Sequence, residues 1–282
     1  MNREMGGKLA ADDSGGARAG AGRGFTLVEL LVVMGIIAIL VSLLFPAITG
    51  VMVAVRKAAT LNVINNLGVA LDAFRNDWGV YPPSDNNHDM MPAAAGVTDA
   101  GFGYYNLFFA LTGPDQKGWG ASAQGSNLKK GPFGGTCIEV KPPYFLPDKV
   151  TDMQWLGSDG TTTHWGYVDA FKPGRAIFYY RYEPTEPPNQ YDVTDNPTDS
   201  TALGGFKDQT HFELLVRPTD PSGTPRWVRD DYLLISCGAS RYWGYVKPTK
   251  DANGIVTGFT PATASDLGVS TCDNVTNFSY SR

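Results

Sequence analysis

Apolar residues are gathered into one dense block near the start of the chain and scattered afterwards. FTLVELLVVMGIIAILVSLLF, Phe25 to Phe45, carries a single charge, Glu29, near its beginning. At about 1.5 Å per residue a helix of this length covers roughly 30 Å, the thickness of a bilayer's hydrocarbon core. The pattern predicts a transmembrane helix over 25–45. Beyond Pro46 the apolar positions thin to one stripe, Leu61, Ile64, Leu67, Leu71 and Phe74, at steps of three and four. This spacing predicts that the helix continues over 46–77 with one face on a core. Pro46 lacks a backbone N–H, so a kink or local unwinding is expected there. Gly79 followed by Tyr81-Pro82-Pro83 is a stop signal.

The remainder, 78–282, reads as short elements in a polar, aromatic background. Gly103–Thr112 suggests a short helix. Candidate strands are 137–140, 176–182, 211–217, 231–237 and 242–246. Ile177, Tyr179 and Arg181 alternate with Phe178, Tyr180 and Tyr182, which predicts a strand with one core face. Segments 183–208 and 218–229, rich in Pro, Asp, Thr and Asn, read as surface loops. The predicted fold class is α+β, a long N-terminal helix packed on a small antiparallel sheet.

Composition sharpens this picture in a few places. With 33 Gly and 19 Pro among 282 residues, a head of short strands and many turns is favoured. Residues 1–23 are Gly- and Ala-rich without apolar periodicity, so they are expected to bury no core. Arg18 and Arg23, the charges nearest the apolar block, give the flank expected on a cytoplasmic side. The net charge of −5 comes with no basic, aromatic-laced patch, so no nucleic-acid partner is expected. The cysteines Cys137, Cys237 and Cys272 form no CxxC pair. Two readings stand side by side: a Cys237–Cys272 disulfide stapling the tail to the last hairpin, or three buried small hydrophobes.

Chemistry-bearing motifs are scarce. His88, His164 and His211 are isolated, and no metal centre is expected. Gly20-x-Gly22-x-Gly24 sits in the leader rather than at a strand-to-helix turn. No nucleophile elbow or phosphate loop occurs in context, so an enzyme or a solute-binding domain is disfavoured. Trp119, Trp155, Trp165 and Trp243 read as core or loop anchors before recognition surface. Asp192, Asp195 and Asp199 read as a solvated acidic loop.

The informative constellation is Gly24-Phe25-Thr26-Leu27-Val28-Glu29. A carboxylate deep in hydrocarbon costs about 3 kcal/mol, so Glu29 needs the interface, a proton or a cationic partner. A cut after Gly24 would give Phe25 an α-ammonium less than two turns away. A staggered neighbouring copy would then pair its ammonium with this carboxylate in a low-dielectric bundle. A signal peptide is the competing reading, but its apolar region is shorter and its cleavage site follows that region.

GFTLVELLVVMGIIAIL resembles the prepilin-type N-terminus of type IV pilins and type II secretion pseudopilins. The resemblance implies removal of a 1–24 cytoplasmic leader by a prepilin peptidase between Gly24 and Phe25. It also implies N-methylation of Phe25, an assembly role for Glu29, and the family's helix-kinking proline at Pro46. It implies an inner-membrane, single-pass subunit with a periplasmic head, whose partners are copies of itself, other pseudopilins and an assembly platform. Leu71-Asp72-Ala73-Phe74 with Gly79-Val80-Tyr81-Pro82, the LFFALTG helix, Asp231–Gly238 and Asn274–Phe278 look like the G-type, major pseudopilin. The expected function is therefore a structural subunit of a type II secretion pseudopilus. The alternative is a pilin or minor pilin of an adhesion or DNA-uptake filament. The calcium loop of the G-type family is not matched: Gly238–Gly244 places Ser240 and Arg241 where acidic ligands would serve, with only Asp251 and Asp273 near. Calcium takes six to eight oxygens and this stretch supplies few, so no cofactor is expected, with a calcium site as the alternative reading.

Overall fold

The computed structural model describes residues 25–85, 101–114, 116–120, 131–134, 139–156, 163–185, 190–198, 204–219, 223–263, 265 and 272–278. The expected leader with Gly24, and also Cys137 and His88, lie outside the described residues. The chain divides into two compact units, 1–49 and 50–282.

Helix α1 runs Leu27–Trp78. Its backbone is helical on both sides of Pro46 and at Pro46 itself. Pro46 withholds the N–H that Ser42's carbonyl would receive. In the first unit every described side chain of α1 is exposed. In the second unit the predicted stripe is largely found: Ile64, Leu67, Leu71 and Phe74 are fully buried. Leu61, expected among them, is 42% exposed, and Ala70 joins the core instead. Gly79 closes the helix with φ +82°, donating its N–H to the Arg75 carbonyl at 2.7 Å, the left-handed conformation that favours glycine at this position.

The head contains helices α2 (Gly103–Thr112) and α3 (Gln209–Val216), with 3-10 turns at Val150–Asp152 and Val193–Asp195. Strands β1 (Gln154–Leu156) and β2 (Thr163–Trp165) form one antiparallel pair. β3 (Phe178–Arg181), β4 (Tyr232–Ser236) and β7 (Val275–Thr276) form a three-stranded antiparallel sheet with β4 in the middle. β5 (Val246–Lys250) and β6 (Val256–Pro261) form a third pair. This is the α+β architecture of a long apolar helix with small antiparallel sheets.

All of β4 is buried, and β3 is buried except at Arg181. The sheet is thus covered on both faces, not on the single face that alternation in 176–182 suggested. On one side Gly68 of α1 faces the Tyr232 hydroxyl; a methyl there would lie 3.1 Å from it. Gly103 of α2 approaches the Tyr179 carbonyl so closely that a Cβ would fall 2.0 Å from the oxygen. Further ties join α1 to the head loops. The Thr60 hydroxyl accepts the Ala170 N–H at 3.0 Å, Trp78 Nε1 donates to the Tyr144 hydroxyl at 2.8 Å, and Lys141 pairs with Asp77 at 3.0 Å.

Three local expectations are corrected. The strand expected over 211–217 is helical through Val216, with Arg217 as the C-cap: Asp208 caps α3 by accepting the His211 N–H at 2.8 Å, and His211, Phe212, Leu215 and Val216 are its buried face. Spacing of one, three and one suits a helix, and the cap decides it. The strand expected over 242–246 begins instead at Val246. Segment 190–198 is no solvated loop, because Tyr191, Val193, Asp195 and Asn196 are buried.

Candidate functional site

The first turn of α1 is built by four residues. Thr26 stands outside the helix, and its Oγ1 accepts the Glu29 N–H at 3.2 Å. Glu29 reaches back: its Oε2 accepts the Thr26 N–H at 2.9 Å and the Thr26 hydroxyl at 2.8 Å. This is a capping box, which satisfies two of the orphan donors at a helix start. The sequence carries its signature, T-x-x-E before an apolar run, in Thr26-Leu27-Val28-Glu29. Reading Glu29 only as a charge in need of a partner overlooked it. Phe25 immediately precedes the box and is 81% exposed.

From Leu27 the helix shows apolar side chains in every direction, including Leu30, Leu31, Ile36, Ile37, Leu40 and Leu44. Taking one such side chain out of water is worth roughly 1.5–3 kcal/mol. A helix with this many is stable only where hydrocarbon or other helices surround it. Among the described residues α1 is the one helix long and apolar enough to cross a membrane, with a mean hydropathy of 2.9 over its most apolar window. Its internal polar group is satisfied locally, since the Ser42 hydroxyl donates to the Ile39 carbonyl at 2.7 Å. The segment is therefore suited to single-pass anchoring, with the capping box and Phe25 at its N-terminal edge.

The other predicted site residues lie in the head. Cys237 and Cys272 stand as separate thiols, so the bridge proposed between them is absent. Cys237 Sγ points inward, 4.0 Å from Asp169 Oδ2, and burial pushes its thiol up. Cys272 Sγ turns to Asn274 Oδ1 at 3.1 Å. The tail is nonetheless stapled, by neighbours of Cys272. Asp273 accepts the Ser240 N–H at 2.7 Å and its hydroxyl at 2.6 Å. Asn274 accepts the Gly244 N–H at 2.8 Å and donates to the Ser236 and Tyr242 carbonyls.

The same contacts describe the two carboxylates nearest the loop where the resemblance would put calcium. Asp273 is engaged with Ser240, and Asp251 accepts the Asn253 and Ile255 N–H groups at 2.9 Å each. Among the described residues no group of three or more His, Cys, Asp or Glu is placed to hold a metal. Trp119 and Trp243 anchor the fold. The Trp119 indole donates to the Ala110 carbonyl at 2.7 Å, and the Trp243 ring stacks on Phe178 at 3.9 Å.

Residues 21–45 match the family model described as the prokaryotic N-terminal methylation motif. That stretch contains Phe25, Thr26, Glu29 and the apolar segment, and the match supports a type IV pilin-like precursor. No curated protein and no solved structure matches the chain.

Proposed function

We propose that this chain is a structural subunit of a type II secretion pseudopilus, trimmed between Gly24 and Phe25, N-methylated on Phe25 and assembled through α1. The observation that carries the reading is the coincidence of the methylation motif at 21–45 with a helix edge where Phe25 is exposed and Glu29 lies one turn further on. In this reading a prepilin peptidase removes the leader. The apolar half of α1 first rests in the inner membrane with the head in the periplasm. It then exchanges lipid for the helices of neighbouring subunits, at little cost in apolar exposure. The carboxylate of one copy pairs with the Phe25 amine of the next, which sets the stagger between helices and removes two charges from a low-dielectric bundle together. The subunit acts by assembly, with no reaction of its own; copies of itself, other pseudopilins and an assembly platform are its partners.

The Tyr81-Pro82 turn and the Asn274–Phe278 tail favour the secretion branch over an adhesion or DNA-uptake filament. The turn is tied back to α1 by Tyr81 donating to Asp72 at 2.9 Å and into the head by Tyr179 donating to the Pro82 carbonyl at 2.7 Å. Deleting the gene in its native host separates the branches: exported proteins stranded in the periplasm fit the proposal. Intact export with loss of long surface pili contradicts it in favour of the pilin branch. Gly24→Leu, co-expressed with a prepilin peptidase, is expected to retain the leader. Trimming at that bond despite the substitution would refute the assignment of the cleavage determinant.

A further inference from the structure

The segment that leaves α1 is fastened to the head through one buried carboxyl. Ser84 is 2% exposed and Asp195 8% exposed, and the Ser84 hydroxyl donates to Asp195 Oδ2 at 2.5 Å. Ser84 Oγ in turn accepts the backbone N–H of Arg181 in β3 at 2.9 Å. The next residue, Asn196, donates to the Tyr179 carbonyl at 2.7 Å and accepts the Tyr104 N–H at 3.0 Å, joining β3 to the start of α2. Four segments therefore converge here: the turn 81–85, β3, the 3-10 turn at 193–195 and α2.

The groups facing Asp195 are acidic or neutral. The post-helix turn contributes Asp85, its own segment Asp192, and the stretch after β3 Glu183, all of which oppose its ionisation. β3 adds the Tyr180 phenol, itself fully buried. α2 brings Tyr104 and Asn106, the latter donating to the Asp85 carbonyl at 3.1 Å. α3 brings Gln209 to the Val193 N–H and the Tyr191 carbonyl, while its Glu213 is paired with Arg217. Arg181, whose backbone N–H meets Ser84, has its guanidinium taken by Glu183 and the Tyr81 carbonyl. One hydroxyl is a small return for a buried charge among like charges. Burial, with those neighbours, pushes the Asp195 carboxyl up to about 7.

We propose that Asp195 is a pH-sensitive latch: neutral, it holds the 81–85 turn against β3 through Ser84; ionised, it releases that turn and loosens the head around the exit of α1. The latch does not depend on which filament the chain builds, and it gives the head a lower hold on the end of α1 on the alkaline side of neutrality.

Amide hydrogen exchange of the full chain in detergent micelles tests it, read at the Arg181 N–H and corrected for intrinsic rates. Between about pH 5.5 and about pH 8.5 its protection is expected to fall roughly tenfold or more. Asp195→Asn, a neutral isostere, is expected to flatten that profile, and Asp169→Asn to leave it sloping. Ser84→Ala is expected to give low protection at every pH. A flat wild-type profile overturns the latch whether or not any variant folds, as does an undiminished slope in Asp195→Asn.

Discussion

Asp273, in the C-terminal tail, holds Ser240 by both its backbone N–H and its hydroxyl, at 2.7 and 2.6 Å. Two donors on one carboxylate pin the tail beside β4 more directly than the neighbouring thiol does. Hydrogen bonds to charged groups contribute about 1.5–3 kcal/mol. Asp273→Ala is expected to lower stability by about 1–3 kcal/mol. Cys272→Ser is expected to change it by less than about 1 kcal/mol, with or without reductant, whereas losing a native disulfide costs about 2–5 kcal/mol. Chemical denaturation of the two variants side by side checks this.

The α1 stripe makes a second contrast. Phe74 is fully buried against Trp78, Phe133 and Tyr144, whereas Val69 is 71% exposed on the same helix. Phe74→Ala is expected to cost about 3–5 kcal/mol, and Val69→Ala within about 0.5 kcal/mol. Equal losses in thermal unfolding would mean that this helix face is misassigned.

Gly103 marks a contact that only glycine permits. A side chain there would meet the Tyr179 carbonyl at 2.0 Å and the Asn196 amide at 2.9 Å. Gly103→Ala is expected to drive α2 off β3 and destabilise the head by about 3 kcal/mol, the upper end of overpacking costs. Unchanged unfolding would contradict the close approach.

Asp169 supplies a pH dependence of known sign. It is buried, accepts the Ser236 hydroxyl at 2.7 Å, and desolvation pushes it up to about 6, partly offset by that hydrogen bond and by the Arg175 and Phe171 N–H groups. A carboxyl raised on folding binds its proton more tightly in the folded state. Its contribution is therefore complete below about pH 4 and is lost as pH rises through about 6. Asp169→Asn is expected to remove on the order of 2–3 kcal/mol of the wild-type decline across that window. Parallel stability curves for the two proteins would contradict it.

Much of this was legible in the residues. Periodicity located α1 and its buried face, Gly79 its end, and the apolar runs at 176–182 and 231–237 located β3 and β4, because each signal is local. Four features were overlooked. HFELLVR looks like a strand until Asp208 is recognised as a cap. Asp195 and Asn196 lie in a Pro- and Asp-rich stretch whose burial depends on α2, β3 and the post-helix turn arriving together. The tail staple pairs Ser240 with Asp273, far apart in sequence, which no window along the chain connects. At the candidate site the T-x-x-E box was visible in the sequence, but the charge of Glu29 drew attention from its hydrogen bonds.

The central claim, that Phe25 becomes the working end of α1, is tested most directly by intact-mass and N-terminal peptide analysis of the chain isolated from cells containing a prepilin peptidase. The account predicts a polypeptide beginning at Phe25 and carrying one methyl on its amine. A chain that still begins at Met1, or one cut on the far side of the apolar segment, would contradict it.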